Sequence, residues 1–188
     1  MSRAFKSIYR VKNPQKYINK NRLDNIISRS SWERGVMIWC DNSAKVIAWG
    51  SEEVIVPYIN KVDGKQHRYY IDFYIKTSDK KEYLIEVKPW IQTQAPEQGP
   101  KKSKKRLLNE VITYTTNTSK WEAATRYADK INAKFLIWTE KELNAMGIPT
   151  VTSKPFKMIQ SKKKISKIPA MKAPKYKKTI GKFDGPKK

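Results

Sequence analysis

The chain has 188 residues and a formal net charge of +23, from 40 Lys and Arg against 17 Asp and Glu, with one Cys and one His. That length suits one modest domain with appendages, and Cys40 with His67 alone excludes an internal disulfide and a Cys/His zinc site. So large a cation surplus points to a polyanionic partner through counterion release, and nucleic acid is favoured over a membrane, because no apolar run approaches ~20 residues and no signal-peptide pattern opens the chain.

Residues 1–29 hold eight Lys or Arg and one acid and show little periodicity, which reads as a partly ordered basic arm, either solvated or following a phosphate backbone. Ser30 and Glu33 make a capping box ahead of Trp32, Val36, Trp39 and Cys40, so a helix is expected over about 31–41. Glu33 then has a structural role, reaching back to the Ser30 N–H. KVIAWG (45–50) and EVIVPY (53–58) read as strands, with Pro57 closing the second and Glu53 an exposed acid at its head. VDGK (62–65) is an Asp-Gly turn into a further strand.

The stretch that carries chemistry is HRYYIDFYIKTSDKKEYLIEVKPW (67–90), two strands and a polar turn. Asp72 interrupts the most apolar part of the first strand, although Asp fits strands poorly. Glu86 and Lys88 interrupt the second and share a face, with Ile85 and Val87 on the other. If the strands pair with matching faces, Asp72, Glu86 and Lys88 converge. Two carboxylates can hold a divalent cation, and a lysine beside them can orient a water, which is apparatus for hydrolysing a phosphodiester. The competing reading makes Asp72 and Lys88 ordinary solvent-face residues of a half-exposed sheet. His67, the only histidine, reads first as a hydrogen-bonded structural residue and second as a phosphate or water contact.

PWIQTQAPEQGPKKSKKR (89–106) reads as a loop ending in Lys101, Lys102, Lys104, Lys105 and Arg106, placed to clamp a DNA backbone or simply solvated. A weak helix over 107–116 is followed by a second capping box, Ser119 with Glu122, and a firm helix carrying Lys120 on a polar side. KFLIWT (134–139) is a buried strand, and Thr139 with Glu142 caps a short helix that Gly147 ends. From Thr150 onward 13 Lys face one acid, Asp184, as expected of an extended or disordered polyanion-binding tail. The expected organisation is a basic arm (1–29), an α/β domain with a mixed sheet flanked by helices (30–149) and a lysine-rich tail (150–188).

This order of elements, with Asp72 on one strand and Glu86-Val87-Lys88 on the next, resembles the PD-(D/E)xK nuclease superfamily and its restriction-endonuclease-like fold. RSSWE (29–33), SEEVIVPY (51–58), HRYYIDFYI (67–75) and YLIEVKP (83–89) resemble the amino-terminal domain of the transposon endonuclease subunit TnsA. They are more similar still to the small head-completion nucleases of T-even-type tailed phages, a likeness that continues through residues 120–143. The resemblance implies Mg²⁺ (or Mn²⁺) on Asp72 and Glu86 with the Val87 carbonyl as a further ligand. It makes Lys88 the residue that positions or activates the attacking water, and raises Glu33 from helix cap to a further acidic member of the site. One departure is that Ile71 stands where such nucleases usually have proline.

The function expected from residues and resemblance together is a metal-dependent endonuclease acting on double-stranded DNA during phage head completion. Capsid, portal or neck proteins would be its partners, and the virion and the host cytoplasm its places of action. Three alternatives remain: a non-catalytic DNA- or portal-binding plug on a nuclease fold, the endonuclease subunit of a transposase or restriction system, and an RNA-binding protein. The last leaves Asp72, Glu86 and Lys88 without a role.

Overall fold

The computed structural model describes residues 6–100 and 102–150. In chain order the elements are β1 (Ser7–Tyr9), β2 (Ile26–Ser28), α1 (Ser31–Asn42), β3 (Val46–Ser51), β4 (Ile55–Ile59), β5 (Gln66–Tyr70), β6 (Phe73–Thr77), β7 (Glu82–Val87), α2 (Lys104–Lys130), β8 (Lys134–Trp138) and α3 (Glu140–Ala145). Short 3-10 turns occupy Pro14–Lys16, Lys20–Arg22 and Trp90–Thr93.

The central sheet runs β3-β6-β7-β8. Its first three strands are antiparallel, and β8 lies parallel to β7. A parallel neighbour needs a crossover connection, which α2 supplies. Alternation along the strands gives the sheet two apolar faces. Phe73, Ile75, Ile85 and Leu136 pack with Val36 and Met37 of α1 and Leu143 of α3. Leu84 and Phe135 pack instead with Trp121, Ala124 and Ala128 of α2 and with the β4–β5 hairpin. The result is the α/β mixed sheet flanked by helices that the sequence led us to expect.

Two expected elements form for the expected reasons. The Ser30 hydroxyl accepts the Glu33 N–H at 3.1 Å, and Trp32, Val36, Met37 and Cys40 make the buried stripe of α1. Thr139 and Glu142 form the reciprocal capping box of α3, and Gly147 ends it at φ 76°.

Four expectations need correction. The first concerns the arm: residues 6–29 are part of the folded body, not a partly ordered appendage. Tyr9, Tyr17 and Ile26 are buried, and the Tyr17 ring meets Trp49 edge-on at 4.7 Å. The fully buried Asp41 of α1 ties the segment down, accepting from Tyr9 Oη (2.7 Å), Lys12 N (2.7 Å) and Asn13 N (3.0 Å). Lys16 Nζ completes the tie at the carboxyl end of α1, donating to the carbonyls of Asp41 and Ser43.

The second is the strand from His67, which is two strands. It breaks at Ile71–Asp72, where the chain leaves the β4–β5 hairpin and enters the central sheet. Third, Pro57 does not close its strand but sits inside β4 opposite Arg68, tolerated because β4 pairs on one edge only. Fourth, the two helices expected after residue 106 are the single helix α2, and its first turn takes in Lys104–Arg106 from the expected loop. Ser119 is no cap: its hydroxyl donates to the Thr115 carbonyl at 2.7 Å, and the Thr113 and Thr125 hydroxyls likewise bond one turn back, to Asn109 and Trp121, while Ser119 also accepts from Lys61 N–H of the β4–β5 turn. The expected tail lies outside the described residues apart from Thr150, whose carbonyl accepts from Trp32 Nε1 at 3.2 Å.

Asp41→Ala would leave a buried tyrosine hydroxyl and two partly buried main-chain N–H groups without their acceptor. We expect it to lower unfolding free energy in urea by about 2–4 kcal/mol. Amide exchange should accelerate in residues 7–28 before it does in β6 and β7. Unchanged protection of residues 7–28 would contradict this anchoring role.

Candidate active site

Asp72 sits where the backbone changes sheets. Ile71 N–H still donates to the Val54 carbonyl (2.9 Å), and the Asp72 carbonyl accepts from Glu52 N–H (3.2 Å) before β6 begins at Phe73. Ile71 is fully buried, and its hydrogen bond is one that proline could not make, which accounts for the departure at this position. The register Phe73↔Ile85, carried one step outward, sets Asp72 opposite Glu86. Val87 N–H then donates to Asp72 Oδ2 at 2.8 Å.

Glu86, only 4 % exposed, is held from two sides. Lys88 Nζ lies 2.7 Å from its Oε1, and the Tyr69 hydroxyl donates to its Oε2. Tyr69 belongs to the β4–β5 hairpin and escaped the sequence reading. The break at Ile71–Asp72 gives it a position that simple strand alternation does not predict.

The electrostatics follow from crowding. Burial pushes the Asp72 carboxyl well above the usual carboxylate range, and the charges of Glu86 and Glu33 push the same way, against Val87 N–H and Lys88. Burial also works against charge on Lys88, but Glu86, Asp72 and Glu33 outweigh it and raise the lysine pKa above its ordinary value. Lys88 is therefore an ammonium at neutral pH. Burial raises Tyr69 well above its usual range, with Glu86 and Asp72 adding to the shift, so its hydroxyl stays a donor.

Glu33 caps α1 as the sequence led us to expect, but with a different partner. Its Oε2 accepts Arg29 N–H (2.7 Å) and its Oε1 accepts the Ser30 hydroxyl (3.0 Å), so the cap closes on Arg29 rather than on the Ser30 N–H expected. Burial is the main cause of its raised pKa, and its charge is felt by both Asp72 and Lys88. Glu53 is purely structural, accepting from Tyr17, Asn19 and Arg22.

The expected DNA contacts are scattered. Lys120 lies beside the site, its Nζ 5.5 Å from the centre of the Tyr69 ring. His67 does not: it is five residues up β5 from Asp72, about 16 Å of strand, beside Asp63 Oδ2 at 2.9 Å and against Tyr58. Lys102 and Arg106 both pair with Glu110, whereas Lys104 and Lys105 are exposed on the first turn of α2. Lys101 lies outside the described residues.

Residues 43–140 match the TnsA-like endonuclease N-terminal family. The chain is also 42 % identical over 137 residues to the head completion nuclease of Enterobacteria phage T4, covering 70 % of this chain and 91 % of that protein. The chain belongs to the TnsA-like endonuclease family. The matched span of this endonuclease includes Glu52, Asp72, Glu86 and Lys88, while Arg29 and Glu33 lie upstream of it. Its substrate is DNA, and among the described residues no helix is long and apolar enough to cross a membrane.

Endonucleases of this family depend on a divalent metal, and the residues here fit one. Among the described residues no three His, Cys, Asp or Glu gather as a metal group, so a cation would rest on the Asp72–Glu86 pair with main-chain oxygen and water. Oxygen donors of this kind suit a hard divalent cation. The fit shows in Asp72 itself: no hydrogen bond besides that of Val87 N–H reaches its carboxylate among the described residues, and its ionised form is disfavoured by burial and by Glu86.

That strain on Asp72 has a measurable sign. A carboxyl whose folded pKa is raised takes up a proton more readily folded than unfolded, so metal-free stability falls as pH rises from the unfolded value, 3.8, through the folded one. In EDTA at neutral pH, Asp72→Asn should melt above the wild type. The gap should close as pH is lowered toward 3.8. A variant that melts below the wild type at neutral pH would contradict the assignment.

Proposed function

We propose that Asp72, Glu86 and Lys88 form the hydrolytic site of a magnesium- or manganese-dependent DNA endonuclease that acts in phage head completion. The observation that carries this reading is the Val87 N–H bond to Asp72, which joins the two carboxylate-bearing segments at one point beside a lysine ammonium. Asp72, Glu86 and the Val87 carbonyl hold the cation, and Glu33 adds negative charge at the rim. A divalent cation held there supplies Lewis-acid stabilisation of the charge that builds on the phosphoryl oxygens. Lys88, 2.7 Å from Glu86 Oε1, positions or activates the attacking water. Tyr69 keeps Glu86 aimed, and Lys120 lies close enough to meet the backbone of the same duplex.

Binding itself rests mainly on phosphate contacts. The exposed Lys104 and Lys105 and the cation surplus of the whole chain favour a polyanion without selecting a sequence. The relative from phage T4 is a head completion nuclease, and the setting we propose for this chain is DNA ends or packaged DNA at the portal or neck, with capsid, portal or neck proteins as partners, in the virion and the host cytoplasm.

Plasmid cleavage at low salt tests the site. The wild type should nick or linearise DNA with Mg²⁺ and stop in EDTA. Asp72→Ala and Lys88→Ala should each lose about 100-fold or more in rate while still retarding DNA without metal. Mg²⁺ should raise the melting temperature of the wild type and leave that of Asp72→Ala unchanged. Wild-type-like cleavage by either variant would overturn the assignment.

A further inference from the structure

Arg29 and Glu52 stand at the rim of the acidic site with no part in the scheme above. Glu52 is one of three non-glycine residues with positive φ among the described residues, at 56°. Such a conformation is costly for a residue with a side chain and is kept where the surroundings impose it. Here its N–H is bonded to the Asp72 carbonyl, and its carboxylate grips Arg29 at two points: Nε to Oε1 at 2.7 Å and Nη2 to Oε2 at 3.1 Å. The Arg29 main-chain N–H in turn holds Glu33. Glu33, Arg29, Glu52 and Asp72 are thus linked in series by hydrogen bonds. The guanidinium feels the charges of Glu33 and Asp72 as well as that of Glu52, yet its side chain is 54 % exposed.

We infer that Arg29, aimed by Glu52, binds a non-bridging oxygen of the phosphate that is cut. The inference rests on the hydrolytic role proposed for Asp72 and Glu86. A surface ion pair alone would need neither the left-handed turn nor its tie to the Asp72 backbone. Glu52 occupies one edge of the guanidinium, and the Nη1 edge carries no bond among the described residues, so it offers the forked donor geometry that matches a phosphate. Glu52 is a positioning residue: it touches no DNA and fixes which way Arg29 points.

Single-turnover cleavage with saturating enzyme, alongside metal-free DNA affinity and melting temperature, tests this on Arg29→Ala, Arg29→Lys, Glu52→Gln and the double variant R29A/E52Q. Arg29→Ala should cut about 100-fold more slowly, with DNA affinity within a few-fold of the wild type. Arg29→Lys should recover only part of the rate, since an ammonium lacks the fork. Glu52→Gln should lose less than Arg29→Ala, and should add nothing in the R29A background. Wild-type cleavage by Arg29→Ala, or a rate loss matched by lost DNA affinity or lost melting temperature, would overturn the inference. So would additive losses in the double variant. Asp72→Ala in the same assay separates the two levels: cleavage that survives it overturns the underlying site, whereas cleavage lost there and kept in Arg29→Ala overturns the inference alone.

Discussion

Two carboxylates brought together out of water repel each other and lose solvation, and the architecture of this endonuclease is arranged around holding Asp72 and Glu86 in that state. The device is a change of sheet. The chain pairs with β4 up to Tyr70 and with β3 and β7 from Phe73 onward. Between the two pairings Asp72 is free of a strand ladder, and its carboxylate takes the Val87 N–H instead. Supports converge on this junction from several elements: Tyr69 from the hairpin, Lys88 from beyond β7, Glu52 from the turn after β3, and Glu33 from the first turn of α1. A pair assembled this way is under electrostatic tension, which a divalent cation bound there would relieve.

The amino-terminal segment matters for the same reason. Tyr17 packs on Trp49, and Ile18 N–H donates to the Trp49 carbonyl at 3.0 Å, so the segment braces β3, the neighbour of the strand that Asp72 opens. It also delivers Arg29 to the rim. The family model matches from residue 43, so the brace, Arg29 and Glu33 lie upstream of that span.

Much of this was legible in the sequence because local chemistry and fold agree there. Ser30 and Thr139 cap helices as their side chains favour, and the polar residues Asp72, Glu86 and Lys88, set in apolar sequence, do meet in the structure. What was hidden depended on partners distant in sequence. Eight cations and one acid in residues 1–29 mask three buried anchors, and the acceptor that orders them, Asp41, lies on another element. The hydroxyl-rich run before Trp121 argued for a helix start, whereas crossover packing on the sheet extends one helix through it and local back-bonding tolerates that. Tyr69 and Glu52 carry no sequence signal, since each acquires its role only from the break between β5 and β6.

The most direct test of the account is to locate the cation. Crystals of the endonuclease soaked in Mn²⁺ should give an anomalous peak beside the Asp72 and Glu86 carboxylates, and the peak should vanish in Asp72→Asn. A peak confined to other residues, or none in crystals whose Asp72 and Glu86 are open to solvent, would contradict the claim that this strand junction is a metal-dependent hydrolytic centre.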